Sequence, residues 1–249
     1  MTGTAVELVI SINVHENPEF LRLQLDNIRR HVRLRYAVIL SCNRFMADEL
    51  GRQANETGVV VNPQVIEKAR FTGTLLQGIV SNIQLAARTY TFRYFLVLSS
   101  RSLFIKDLTE AFIDDESVRR CTVATNFSGW HWPKFKSTEL FLYYERNSGL
   151  ISLGAHEGLI FSQSASESII CFLDHNDCIR EDLFSCRCAV EEFALQTIIM
   201  NESADKKFWF IGSGVDTVPE PRADAGYYVY KTIREVPKAS DAGGISPPP

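Results

Sequence analysis

The chain has 249 residues, 45% hydrophobic and 22% charged, enough apolar material for one large or two small domains to bury a core. Its formal net charge of −4 argues against a nucleic-acid binder, which gains affinity by setting many Lys and Arg against phosphates. No run approaches the roughly 20 apolar residues a bilayer span needs, and residues 1–5 lack the basic and apolar parts of a signal peptide, so a soluble, cytoplasmic chain without a membrane span is expected.

The first predicted element is the apolar strand Val6–Ile12, followed by the turn Asn13-Val-His15-Glu16. Asn17 is an N-cap residue, Pro18 suits the first helical position and Glu19 the first turn. Leu21, Leu25, Ile28 and Val32 then form one stripe along a helix. The next strand is Tyr36–Ser41, closing on Cys42-Asn43, and Val59–Val61 is a shorter one. A long helix begins after Gly73, with Leu75, Leu76, Ile79, Val80, Ile83, Ala86 and Ala87 on one face. The unbroken apolar run Tyr94–Ser99 reads as a strand buried on both sides. Strands and helices alternating over the first 110 residues predict an α/β class, an open and mostly parallel sheet flanked by helices. Ligands of such sheets bind beyond the carboxyl ends of the strands, here Asn13–Glu16, Cys42–Asn43 and Ser99–Ser102.

The second half is less regular and predicts a mixed arrangement. Cys121–Thr125 and Glu139–Glu145 read as strands separated by the aromatic loop Gly129-Trp-His-Trp-Pro133, and Gly158–Phe161 as another. Ser164 with Glu167 has the spacing of a capping box for a helix carrying Ile169, Ile170, Phe172 and Leu173. A further helix covers Val190–Met200, and Lys207–Ile211 and Tyr227–Thr232 read as closing strands. Residues 239–249 have linker composition and are read as a flexible tail, which could lead to a further domain.

Of six cysteines, Cys42, Cys121 and Cys171 sit in apolar runs, where a thiol acts as a small core residue. Cys186-Arg-Cys188 has only His175 and Cys178 as candidate co-ligands for a zinc site, so reduced thiols are expected. Neither G-x-G-x-x-G nor G-x-x-x-x-G-K occurs, which argues against other nucleotide enzymes such as nucleotidyltransferases.

The ordered segments VISINVHENPEFLRLQLDNI, YAVILSCN, GTLLQGIVSNIQLA and RYFLVLSSRSLFIKDL, with a later EEFALQT, resemble the core-2/I-branching N-acetylglucosaminyltransferases and the related xylosyltransferases. The whole pattern up to about residue 235 is also similar to the small glycosyltransferase domain that chloroviruses use on their capsid glycan, which would place the chain in a host cytoplasm. The resemblance implies a GT-A, Rossmann-like glycosyltransferase domain over 1–238, with a nucleotide-binding part over 5–110 and an acceptor and catalytic part over 111–238. It implies a nucleotide-diphosphate sugar donor, UDP by default, and a glycan or glycoprotein acceptor. It also implies inversion at the anomeric carbon. The sugar stays open among N-acetylglucosamine, xylose, rhamnose and glucose.

GT-A enzymes commonly hold the donor through a divalent metal on Asp-x-Asp. The matching stretch here, Leu98-Ser-Ser-Arg-Ser-Leu-Phe104, has no carboxylate before Asp107, whereas Mg²⁺ or Mn²⁺ prefers carboxylate oxygens. No cofactor is therefore expected, with Mn²⁺ or Mg²⁺ as the alternative. The branching enzymes neutralise the diphosphate with basic residues near the C-terminus, a place that Lys231 and Arg234 resemble.

An inverting transfer needs a carboxylate to take the acceptor proton. Glu192 is the expected base and Glu191 the alternative; both also suit a helix N-terminus for purely structural reasons. Asn13, His15, Glu16 and Asn43 are candidate nucleotide contacts, although Asn is common in turns. Lys68, Arg70, Ser100 and Arg101 could reach the donor, and Trp130 and Trp132 could stack on a sugar ring or simply pack. A non-catalytic nucleotide-sugar or glycan-binding module that has lost its metal site is the competing expectation.

Overall fold

The computed structural model describes residues 3–14, 17–51, 58–100, 102–104, 107–114, 132–152, 156–206 and 208–210. In chain order these form β1 (Thr4–Ala5), β2 (Leu8–Val14), α1 (Pro18–His31), β3 (Tyr36–Cys42), α2 (Arg44–Gly51), β4 (Val59–Val61), α3 (Thr74–Thr89), β5 (Tyr90–Thr91) and β6 (Tyr94–Ser99). There follow α4 (Glu110–Asp114), α5 (Trp132–Phe135), α6 (Glu139–Arg146), β7 (Leu159–Ser162), α7 (Gln163–His175) and α8 (Asp177–Ser185). A 3₁₀ turn (Val190–Glu192), α9 (Ala194–Glu202) and β8 (Phe208–Phe210) complete the described chain. The expected strands Cys121–Thr125 and Tyr227–Thr232 and the tail 239–249 lie outside the described residues.

Six strands pair in the order β4-β3-β2-β6-β7-β8. The first four are parallel, while β7 runs antiparallel to β6 and β8 antiparallel to β7. The fold is an α/β, Rossmann-like open sheet flanked by helices. Every residue of β2 is buried, as a central parallel strand covered on both faces requires. Leu8, Ile10, Ile12 and Val14 face a core completed by Leu21 and Ile28 of α1 and Met46 of α2. Val9 faces the opposite core, made with Ile39, Phe95, Val97 and the buried stripe of α3. Phe95 and Phe161, directly paired across β6 and β7, stack with ring centroids 5.3 Å apart, a geometry worth about 0.5–1.5 kcal/mol beyond burial.

The start of α1 follows its sequence signals: Asn17 Oδ1 accepts from the Glu19 N–H at 2.8 Å and Pro18 opens the helix. The face of α3 toward the sheet is partly polar. Asn82 Nδ2 donates to Ser11 Oγ (3.0 Å) and Ile39 O (3.2 Å), and Asn82 Oδ1 accepts from Asn62 Nδ2 (2.9 Å). These buried bonds fix the rotation of α3 over β2 and β3, because any other register would strand the same groups away from water.

Three sequence expectations are corrected. Residues 139–145 form a helix, α6, and not a strand: Thr138 Oγ1 caps the Phe141 N–H, and Leu140, Phe141 and Tyr144 bury one face at helical spacing. The cap of α7 is Ser162, whose Oγ accepts from the Ala165 N–H at 3.1 Å, so Ser164 already lies within the helix. The expected helix from Val190 divides into a 3₁₀ turn and α9, with Phe193 between them. Cys42 is buried as expected, but Cys171 lies on the exposed side of α7. Among the described residues, no helix is long and apolar enough to cross a membrane.

Candidate functional site

The parallel strands end along one edge of the sheet, and their register aligns Asn13 with Ser41 of β3 and Ser99 of β6. Asn13 and Ser41 project toward α3, since Ile12 and Leu40 beside them face the other core. Asn13 Nδ2 donates to the Leu75 carbonyl in the first turn of α3 at 2.8 Å. Its Oδ1 and the Ser41 Oγ are buried and have no hydrogen-bond partner. A Cβ placed on Gly78 would crowd Asn13 Oδ1 and lie 2.8 Å from Lys68 Cε and 3.1 Å from Ser41 Oγ. Only the missing side chain of Gly78 leaves room where these three converge.

Lys68 Nζ donates to the Ile66 carbonyl at 3.2 Å, and an ammonium carries three donors. Burial pushes its pKa down to about 8, against the opposing pull of Cys42 and Glu67. An ammonium beside two unpartnered polar atoms suits an anionic, hydrogen-bonding ligand such as a nucleotide. Lys68 is charged below about pH 8 and neutral above it, so affinity for a nucleoside diphosphate is expected to fall as pH rises through that value. Lys68→Met should weaken binding at neutral pH and flatten the alkaline decline. Calorimetric titration of UDP on either side of pH 8 would settle it, and a Lys68→Met variant with the parent's affinity and pH profile would refute the role.

The turn after β6 is held from α1. Gln24 Nε2 donates to the carbonyls of Ser99 (2.6 Å) and Ser102 (3.0 Å), and Asn27 exchanges two bonds with the Phe104 backbone (2.7 and 2.9 Å). Ser99 and Ser102 bond through their hydroxyls at 2.8 Å, and Ser100 is buried between them in sequence. Asp107, the first carboxylate beyond the strand, meets Arg33 Nε at 2.8 Å and His31 Nδ1 at 3.0 Å. Those partners stand at the far end of α1, at the opposite edge of the sheet. Hydroxyls and carbonyls are what the described part of this turn offers, a poor donor set for a hard divalent cation. Among the described residues no group of three His, Cys, Asp or Glu is placed to hold a metal ion.

The acidic pair lies in the 3₁₀ turn, which packs on α3 and α9. Glu191 is 2% exposed, with Oε2 unpartnered. Burial, with added repulsion from Glu192 and Glu157, pushes its carboxyl up to about 8, so it is protonated at neutral pH. Glu192 is half-buried, and its pKa is raised by burial and then by the Glu157 carboxylate. Adjacent carboxyls in unlike environments can thus serve as a neutral acid and an accessible base. Glu157 follows His156, whose Nε2 is 3.7 Å from Glu157 Oε1 and whose pKa burial lowers. Sequence reasoning missed His156 and Glu157; the stretch Gly154-Ala-His-Glu-Gly158 before a predicted strand was the available signal.

The two clusters meet at the start of α3. Leu75 receives Asn13 from the strand edge, and the Gly73 N–H donates to the Cys186 carbonyl at 2.8 Å, on the segment leading to the acidic turn. Two candidates are otherwise engaged. Asn43 Oδ1 accepts from the Met46 N–H at 3.0 Å, capping α2 as a turn residue would. Arg70 is exposed, its guanidinium 4.6 Å over the ring of Phe71, whose φ of 58° is left-handed. His15, Glu16, Arg101, Trp130, Lys231 and Arg234 lie outside the described residues. Trp132 begins α5, but its side chain also lies outside them. A cavity of about 180 Å³, lined by Leu21, Arg22, Leu25, Leu40 and Val61 among others, lies on the α1 face of the sheet, opposite the face toward which Asn13 and Ser41 project. In sequence comparison the chain matches no family model and no curated protein.

Proposed function

We propose that the chain is a GT-A glycosyltransferase that transfers a sugar from a nucleotide-diphosphate donor, by default UDP-linked, to a hydroxyl of a glycan or glycoprotein. The observation that carries this reading is the convergence of Lys68, Asn13 and Ser41 on Gly78 at the carboxyl edge of a parallel sheet, one helix start away from Glu191–Glu192. The strand-edge cluster would take the nucleotide and its phosphates. Glu192 would take the acceptor proton as that oxygen forms its bond to the anomeric carbon, while the bond from that carbon to the diphosphate oxygen breaks. The attack is in line, so configuration inverts, and the departing diphosphate carries away the bonding electrons. Its charge would be met by Lys68, and by Lys231 and Arg234 as the resemblance implies. The described part of the turn after β6 offers hydroxyls and carbonyls, which suit Mn²⁺ or Mg²⁺ poorly, so the proposed transfer uses no metal. That same turn favours one alternative, a nucleotide-sugar or glycan-binding module without catalysis.

Thermal-shift titration with UDP-, GDP-, CMP- and dTDP-sugars, each with chelator or with Mn²⁺, tests the reading. A matching donor at a hundredfold excess over its Kd should add about 2.7 kcal/mol to stability, with UDP-sugars expected to act and chelator to leave the shift intact. Silence from every donor would overturn the proposal. Stabilisation without hydrolysis or transfer would favour the binding module.

A further inference from the structure

We propose that Cys186 and Cys188 form a dithiol modification site, which low-molecular-mass disulfides such as oxidised glutathione convert to an intrachain disulfide. The two Sγ atoms are 2.9 Å apart, so closing the bond requires a movement of about 1 Å to reach the 2.0 Å of a disulfide. Their exposures differ in the way an attacking and a resolving thiol require: Cys186 is half-buried and Cys188 fully buried. Either sulfur can donate in the bond between them, and sharing one proton pushes the thiol of the more exposed Cys186 down to about 7 and raises that of Cys188. At neutral pH Cys186 therefore carries substantial thiolate, the nucleophilic form. Cys42 shows the contrast, its thiol buried and pushed up to about 11.

The exchange balances in two steps. The Cys186 thiolate attacks one sulfur of the external disulfide, forming a mixed disulfide and expelling one thiolate. Cys188 then gives its proton to the expelled thiolate and attacks Cys186 Sγ, which forms the protein disulfide and expels a second thiolate; this takes up from solvent the proton that Cys186 had released on ionising. The protein loses two electrons and two protons, and the external disulfide becomes two thiols. The pair is also placed where its state reaches the acidic turn: the Cys186 carbonyl accepts from the Gly73 N–H at 2.8 Å and the Cys188 carbonyl from the Val190 N–H at 2.9 Å. None of this depends on which ligand the strand edge takes.

The whole chain treated with oxidised glutathione at neutral pH should lose the mass of two hydrogens and retain no glutathione at this pair. Trypsin cuts after Arg187, so the peptides 181–187 and 188–206 should then migrate as one until reduced. Cys188→Ala should instead trap a stable glutathione adduct on Cys186. Circular dichroism would confirm that this variant is folded. Phenylarsine oxide, which joins two thiols to one arsenic with loss of water, gives an independent readout and should protect both cysteines from alkylation. A wild-type chain that keeps a persistent adduct on Cys186, leaves both thiols free, or joins Cys186 to another cysteine would overturn the proposal.

Discussion

Glu192→Gln is expected to lower sugar transfer by roughly 10²–10⁴-fold, the usual worth of a positioned general base, while donor binding stays within about twofold of wild type. The amide keeps the shape and hydrogen-bonding reach of the carboxylate but cannot take a proton from the acceptor hydroxyl. Glu192 must be ionised to act, so the rate should rise with pH through its pKa, which burial and then Glu157 raise above the usual carboxylate range. Glu157→Gln removes the second cause alone. It should therefore move the acidic limb of the pH–rate profile to lower pH, a change that a merely structural role for Glu157 would not produce. Glu191→Gln makes a useful comparison, since that carboxyl already holds its proton up to about pH 8. It should retain most activity at neutral pH. Kinetics of the three variants with a single donor and acceptor would check these expectations together. Wild-type turnover in Glu192→Gln would remove Glu192 as the base and return attention to the binding-module alternative.

The amino-terminal half was legible because buried parallel strands are continuous apolar runs and α1 carries its own signals. Asn17, Pro18 and Glu19 do in the fold what their order suggested. In the second half, the run Leu140–Tyr144 is too short and too apolar for its periodicity to decide between helix and strand, and Thr138 settles it by capping. The misplaced start of α7 has a similar cause: Ser162 both ends β7 and caps the helix, and no gap in the sequence separates the two jobs.

The candidate site was most readable where it follows strand ends. Asn13 and Ser100 could be found that way, because the carboxyl edge of a parallel sheet follows from the alternation of elements. Lys68 stands out in the sequence as a basic residue before the long helix and Ser41 as a strand end, but nothing local marks Gly78 or shows that the three, from separate segments, come together. Gln24 and Asn27 look like the polar side of an amphipathic helix, yet both hold the turn after β6. Glu191 and Glu192 were singled out as a pair, but their division into a neutral acid and an accessible carboxylate depends on burial and on Glu157, which the sequence does not bring near them.

Gly73→Ala is expected to destabilise the fold by about 3 kcal/mol, at the upper end for overpacking a well-filled core. For a chain of this size that lowers Tm by roughly 6–12 °C. The cause is space and not backbone conformation, because Gly73 has an ordinary right-handed φ of −60°. A Cβ there would collide with the Leu183 carbonyl oxygen and lie 2.8 Å from the carbonyl carbons of Leu183 and Phe184. All three are backbone atoms, so no rotamer change relieves the clash and α8 must move off the start of α3. The Gly73 N–H bond to Cys186, at 2.8 Å, would be strained by the same movement. Gly78→Ala makes the opposite case. Its obstacles are the side-chain atoms Asn13 Oδ1, Lys68 Cε and Ser41 Oγ, which can swing aside, and alanine gains about 1 kcal/mol over glycine within a helix. Gly78→Ala should therefore keep a Tm near that of wild type while losing donor affinity, whereas Gly73→Ala should lose Tm first. Melting curves with and without UDP separate the two. A Gly73→Ala protein melting within a degree of wild type would mean that α3 and α8 do not meet as closely as described, and the path from the strand edge to the acidic turn would go with that contact.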